Sequence, residues 1–349
     1  MSHQDIDQQK KGRLKDTPLS VLDLAPIAVG GTAADALHRT LDLAQHVERW
    51  GFKRYWLAEH HNMAGIASAA TAVVIGYVAA GTFNIRVGSG GVMLPNHAPL
   101  VIAEQFGTLE SLYPGRIDLG LGRAPGTNPP TVRALRRDIQ SHGRDFPEML
   151  GELRGFLASS GGNQVNSGVR AIPGEGLTIP IWLLGSSDFS AQLAGHLGLP
   201  FAFAGQFAAE NTQLALYAYR QSFQASAVLS SPYAMLGVNV VAADTDEKAR
   251  YLSTTSQQKF LQIVRGSIHT AQMAPPVDSM EKLYRDEREQ LLVERRVQDS
   301  IVGSPATVRE RLETLLHETQ ADELIIQSEI YDHVHRLRSY EIIASATQS

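Results

Sequence analysis

The chain has 349 residues, 43% hydrophobic and 19% charged, with a formal net charge of -5 and a pI near 6.2. That balance gives no electrostatic footprint for nucleic acid. Cysteine is absent, which excludes disulfides, thiolate metal sites and cysteine nucleophiles.

Residues 1–17 are polar and lack the apolar core of a secretory signal, so they read as a disordered tail before one domain over 18–349, with the cytoplasm as the expected location. Leu19 to Leu24 is a short apolar strand. After Gly30-Gly31, Thr32 is placed to cap a helix with Leu37, Leu41, Ala44 and Val47 on one face, closed by Gly51. Tyr55 to Ala58 is the second strand and runs into Glu59-His60-His61-Asn62. From Asn62 to Ile85 there is no charged residue. The run is rich in Ala, Gly, Ser and Thr, which makes 68–80 a buried helix facing core or a partner subunit, not a membrane span.

Ile85 to Val87 opens into Gly88-Ser89-Gly90-Gly91. A helix over 98–113 ends at Pro114-Gly115, and the strand Arg116 to Leu121 ends at Gly122-Arg123. Strand, helix and strand form a βαβ unit, whose right-handed crossover delivers both turns to one sheet edge. Beyond a proline-containing loop and the basic run Arg133, Arg136 and Arg137, a helix spans 148–157, and 159–176 is a Gly- and Ser-rich loop. Strands follow at Pro180 to Leu184, Pro200 to Ala204, Met235 to Ala242 and Glu323 to Gln327. Helices lie between or after them to Gly198, over 208–223, from Thr245 or Asp246 to Val264, from Pro305 to Glu318 and over 333–344. Residues 266–298 are polar, highly charged and contain Pro275-Pro276, as in an inserted mobile, lid-like element. Eight strands alternating with helices favour a single (β/α)8 TIM barrel, with a doubly wound sheet as the alternative.

The chemistry-bearing residues fall at strand ends, where this fold class places its sites. His60, flanked by Glu59 and His61, can exchange a proton near neutral pH; three adjacent residues alone make a poor metal site. Gly90 and Gly91 allow backbone to approach a flat ligand. Arg123 offers a guanidinium to a phosphate or carboxylate. Ser186, Ser187 and Ser190 surround a helix start that favours an anion, although Asp188 beside them would repel one. Gly120-Leu121-Gly122 lacks the third spaced glycine of a dinucleotide fingerprint. No lysine or paired carboxylates at the strand ends support an aldolase or isomerase.

Three stretches, WLAEHHN (56–62), the segment over 85–126 and LLGSSDFSAQLAGHLGLPFAFA (183–204), resemble the bacterial luciferase-like flavin monooxygenase family. The resemblance implies an FMN-dependent oxidoreductase, most simply a two-component monooxygenase. A separate reductase would supply reduced FMN, and O2 would be the co-substrate for oxygenation of an unidentified organic molecule. It implies His60 as proton carrier beside the flavin, a cis Gly90-Gly91 peptide beneath the ring, and Arg123, Ser187 and Ser190 at the phosphate. It also implies 266–298 as a lid and a homodimer with helix 68–80 near the interface. Gly122 stands where the light-emitting subunit has a reactive cysteine, which implies a roomier pocket without its aldehyde specificity. Related barrels use coenzyme F420, and a flavin-binding protein without turnover is the non-enzymatic alternative.

Overall fold

Short β-branched and aromatic runs become strands here because helices cover them on the outside and the barrel interior receives every second side chain. The computed structural model describes residues 13–124, 128–135, 145–159 and 168–347. The barrel strands are β1 Leu19–Asp23, β2 Arg54–Leu57, β3 Arg86–Ser89, β4 Ile117–Gly122, β5 Ile181–Gly185, β6 Phe201–Phe203, β7 Ala234–Ala242 and β8 Glu323–Gln327. All neighbours run parallel, and β8 pairs with both β1 and β7, so the ring closes. A doubly wound sheet would keep two open edges, and closure removes that alternative.

The helices are α1 Ala33–Arg49, α2 Thr71–Ala80, α3 Pro99–Leu112, α4 Pro129–Ala134, α5 Phe146–Leu157, α6 Asp188–His196, α7 Gly205–Ala208, α8 Thr212–Ser222, α9 Asp246–Val264, α10 Glu287–Val297, α11 Pro305–Thr319 and α12 His333–Ala346. Local signals set their ends. Thr32 caps α1 in a reciprocal box with Asp35, and Thr245 caps α9 by accepting from the Lys248 N–H. No helix among the described residues is long and apolar enough to cross a membrane.

Several expectations are corrected. Of the expected 1–17 tail, residues 1–12 lie outside the described residues, whereas Leu14–Asp16 forms a 3-10 turn with Leu14 buried in the core. Val92–Met93 pairs with the end of β4, and Ile301–Gly303 pairs with the end of β7. Strands of two or three residues are too short to display an alternating pattern. The helix expected over 208–223 begins earlier and is broken, as α7, a 3-10 turn and α8. Arg136, Arg137 and residues 160–167 of the Gly/Ser-rich loop lie outside the described residues.

The barrel interior is layered. At the N-terminal end, Arg54 donates to Glu323 (2.9 Å) and Asp118 (2.6 Å), both carboxylates fully buried. Arg86, Lys53, Ser20, Tyr233 and the Trp56 indole complete their hydrogen bonds. Above this plug lie Leu22, Trp56, Trp182, Ala202, Met235 and Ile325, with the two indoles packed edge to face at 5.2 Å. Outside the ring, buried Asp23 binds Arg336 at 2.8 Å and accepts from Tyr55 and Thr40, fastening α12 and α1 to β1. These layers fill the barrel from below, and a cavity opens above them at the C-terminal mouth.

Candidate active site

The loop after β3 sets the floor of the mouth. Four steps from Gly88 to Val92 face three steps from Asp118 to Leu121, so one residue bulges out between the two pairings with β4. The Ser89 hydroxyl bridges the interrupted ladder: it donates to the Gly120 carbonyl (2.8 Å) and accepts from the Gly120 N–H (3.0 Å). The Gly90-Gly91 peptide in this bulge is cis. A Cβ on Gly90 would lie 2.6 Å from Leu22 Cδ1 and 3.1 Å from Trp56 Cβ, so the backbone here rests directly on the interior layer. Gly122 behaves differently from expectation. A Cβ there would meet Met93 Sδ at 2.8 Å, so the methionine of the short added strand takes the space that a roomier pocket required.

Glu59, 1% exposed, joins this floor to the loop after β2. Its carboxylate receives His61 Nε2 at 2.9 Å, His97 Nε2 at 2.9 Å and the Met93 N–H at 3.1 Å. Burial raises its pKa, but the bonds from His61 and His97 outweigh that and hold it at about 2. An ionised carboxylate only accepts, so both histidines carry their proton on Nε2. The ligand atoms of Glu59, His61 and His97 lie within 4.8 Å of one another. Chelation of a cation by these three would cost both histidine-to-carboxylate hydrogen bonds, because the same Nε2 atoms would have to turn lone pairs to the metal. Pattern reading singled out the 59–61 run and missed His97, although it too follows a strand end. The partner that makes it relevant sits 38 residues away in the chain.

His60 points to a different place. It lines a cavity of about 250 Å3 at the mouth, with Gln327 from the end of β8, Asn239 from β7, and Phe207, Phe260 and Arg296 from the elements around them. The expected 266–298 lid closes one side through Ile268 and Ala271. It is tied down by specific bonds: Ala64 N–H to the His269 carbonyl (2.7 Å), Val29 N–H to the Met273 carbonyl (2.8 Å) and His269 against Asn128 and Asn62. Arg265, at the end of α9, pairs with Glu289 inside the segment at 2.6 Å.

On the other side of the mouth, Arg123 lays its guanidinium over the Phe189 ring, 4.3 Å from the centroid. That ring projects from the first turn of α6, between Ser187 and Ser190. Ser187 is the N-cap residue but its side chain makes no capping bond. Ser190 is buried, Ser186 is exposed, and Asp188 is exposed, where water screens its charge. Through its stack on Phe189, Arg123 thus lies beside the helix start that carries Ser186, Ser187 and Ser190. The donor set of guanidinium, hydroxyls and free helix N–H groups fits a phosphate.

A model of the luciferase-like monooxygenase family matches residues 17–323. The chain belongs to that family. A luciferase-like monooxygenase of Escherichia coli K12 is 51% identical over 328 residues, spanning 94% of this chain and 96% of its own. Among solved structures, apo-MsnO8 superposes with a TM-score of 0.86 at 36% identity, covering 95% of this chain and 98% of that one. Two more distant structures share the barrel. One is the oxygenating constituent of 3,6-diketocamphane monooxygenase from Pseudomonas putida in complex with FMN, with 18% identity, a TM-score of 0.69, and coverage of 94% and 97% of the two chains. The other is an F420-dependent secondary alcohol dehydrogenase, with 13% identity, a TM-score of 0.69, and coverage of 96% and 100%. Membership establishes the luciferase-like monooxygenase family and its TIM barrel.

Proposed function

We propose that this luciferase-like protein is the oxygenating component of a two-component FMN-dependent system, fed with reduced FMN by a separate reductase and using O2 on an organic substrate. The observation that carries this reading is Arg123 stacked on Phe189 at the start of α6, whose hydroxyls and N–H groups suit a phosphate. Bound reduced FMN would supply the chemistry that activates O2. Arg123, Ser187 and Ser190 would hold its phosphate, with Ser186 at the rim. Gly90 and Gly91 would present bare backbone beneath its ring. His60, which lines the adjoining cavity, would hold or deliver a proton there, and the 266–298 cover would keep water out.

The test is a titration of the purified protein with FMN, reduced FMN and F420, followed by exposure of the reduced complex to O2. Tight binding of reduced FMN with slow, protein-protected reoxidation is expected. Arg123→Ala should weaken FMN binding roughly 10- to 100-fold, the range of losing one or two charge-assisted bonds, without changing the melting temperature. A preference for F420 would move the protein to the hydride-transfer branch. FMN binding that stays equally protected in His60→Ala would favour a protein that only holds flavin.

We further infer a homodimer through α2 and α3. The described residues expose Val73 (73%), Tyr77, Val101 and Leu112 on these two packed helices, an apolar face of the kind that marks an association surface. Val73→Glu should convert dimer to monomer in light scattering at unchanged helix content. A dimer that survives this substitution would refute the assignment.

A further inference from the structure

The cavity that His60 lines stands beside the proposed flavin site, and none of Gly90, Gly91, Gly122 and Arg123 belongs to its wall. Apolar side chains reach it from successive elements: Leu24 past the end of β1, Ile66 from the loop after β2, Val241 from β7, Phe260 and Ile263 from α9, and Ile268 from the 266–298 segment.

The charged side chains of that wall are matched inside the protein. Lys259 pairs with Glu329. Arg296 packs against the Phe207 and Phe260 rings, 5.4 Å from each centroid, and donates Nη1 to the Phe207 carbonyl at 2.6 Å. It also lies in the field of Glu329 and Glu210. Most polar side chains are committed too. Gln257 donates to the Ser253 hydroxyl (3.2 Å), which donates to the Arg250 carbonyl (2.8 Å). Ser256 donates to the Ser253 carbonyl (2.8 Å), and Asn239 to the Gln206 carbonyl (3.1 Å). The side-chain oxygens of Gln206 and Gln327 are buried within the protein and present almost no surface. A charged ligand would therefore give up water here without gaining a partner, which is strongly unfavourable. An uncharged apolar ligand gains from burial alone. At about 250 Å3, the space suits roughly ten non-hydrogen atoms, since a cavity of about 150 Å3 takes up benzene.

We propose that this cavity is the substrate pocket and takes an uncharged, predominantly apolar molecule of about ten non-hydrogen atoms. Shape and burial hold it, not an ion pair. This rests on reading the mouth as the site of an oxygenase, and it deepens that reading by naming the substrate class. It also places the substrate against His60, beside the flavin and not in its position.

The test compares three molecules with a common cyclohexyl body: cyclohexyl methyl ketone, cyclohexanecarboxylate and 1-cyclohexylethylammonium. Each is titrated calorimetrically at neutral pH, first without FMN and then with FMN at saturation. The ketone should bind at least about tenfold more tightly than either ion, and saturating FMN should weaken it by no more than about threefold. Ile263→Trp, which fills the space, should cost the ketone at least about tenfold and leave FMN binding unchanged. The comparison in the unsubstituted protein stands even if Ile263→Trp fails to fold. Absence of ketone binding, binding of either ion as tightly as the ketone, or full ketone affinity in Ile263→Trp would each overturn the proposal. Displacement of the ketone by FMN would overturn it as well and assign the space to the flavin. A ketone preference in a protein that binds no FMN removes only the flavin reading, and FMN binding without the preference removes only the pocket.

Discussion

Arg54→Met is expected to lower the unfolding free energy by about 3–5 kcal/mol, the range for removing one partner of a buried ion pair. For a chain of this size that corresponds to a melting temperature roughly 10 °C lower, which differential scanning calorimetry would register. The methionine would match the stem of the arginine but leave Asp118 and Glu323 as buried carboxylates. Their other cations, Arg86 and Lys53, are 24% and 37% exposed and hold only one carboxylate each. The guanidinium also covers the Trp182 ring at 4.8 Å, so the substitution disturbs the aromatic layer above the plug as well. Restoring neutrality should recover part of the loss: the double variant Arg54→Met, Asp118→Asn is expected to melt above Arg54→Met alone. If the single variant melts within 2 °C of the parent, the plug contributes specificity and not stability, as some buried ion pairs do.

Glu59→Gln should damage the mouth more than the fold. The amide presents two donors where the carboxylate presented only acceptors, so His61 Nε2, His97 Nε2 and the Met93 N–H can no longer all be met. Each buried donor left without an acceptor costs about 1–3 kcal/mol, and Met93 sits against Gly122 on the floor of the proposed flavin site. A loss of flavin-dependent turnover of 100-fold or more is expected, with a drop in melting temperature of only a few degrees.

The pH dependence follows with a definite sign. Glu59 titrates near 2 in the fold against an ordinary 4.5, a depression set by its histidine donors against the opposing effect of burial. Its stabilising contribution is therefore fully present above about pH 4.5 and is lost as pH falls toward 2, amounting to about 3 kcal/mol over that window. Glu59→Gln should flatten the stability curve in that acid window and leave it parallel to the parent above pH 5. An identical acid limb in both proteins would show that Glu59 is not held by these bonds.

How much of this was legible beforehand differs by element. Element ends were readable because glycine and proline punctuate them: Gly51 and Pro114-Gly115 follow helices, and Gly122 ends a strand. The placement of Arg123 beside the helix start that carries Ser187 and Ser190 could be read because all three follow the ends of successive barrel strands, and parallel strands present those ends to one face. Glu59 and His60 were visible for the same reason, but their separate fates were not. One is locked into a hydrogen-bonded floor, while the other faces a cavity, and adjacent residues past a strand end need not share a direction. His97 carried only the weak signal of following a strand end, because its partner Glu59 sits 38 residues away.

The sequence by itself determined the family, the alternation of strand and helix, and which residues stand at the mouth, because periodicity, caps and turn residues act over a few positions. Tertiary structure alone decided that the ring closes, that Met93 fills the space at Gly122, and that Glu59 gathers His61 and His97. Those outcomes join residues tens to hundreds of positions apart, and they are fixed by packing and by the cost of burying an unmet charge or polar group, which no local pattern records.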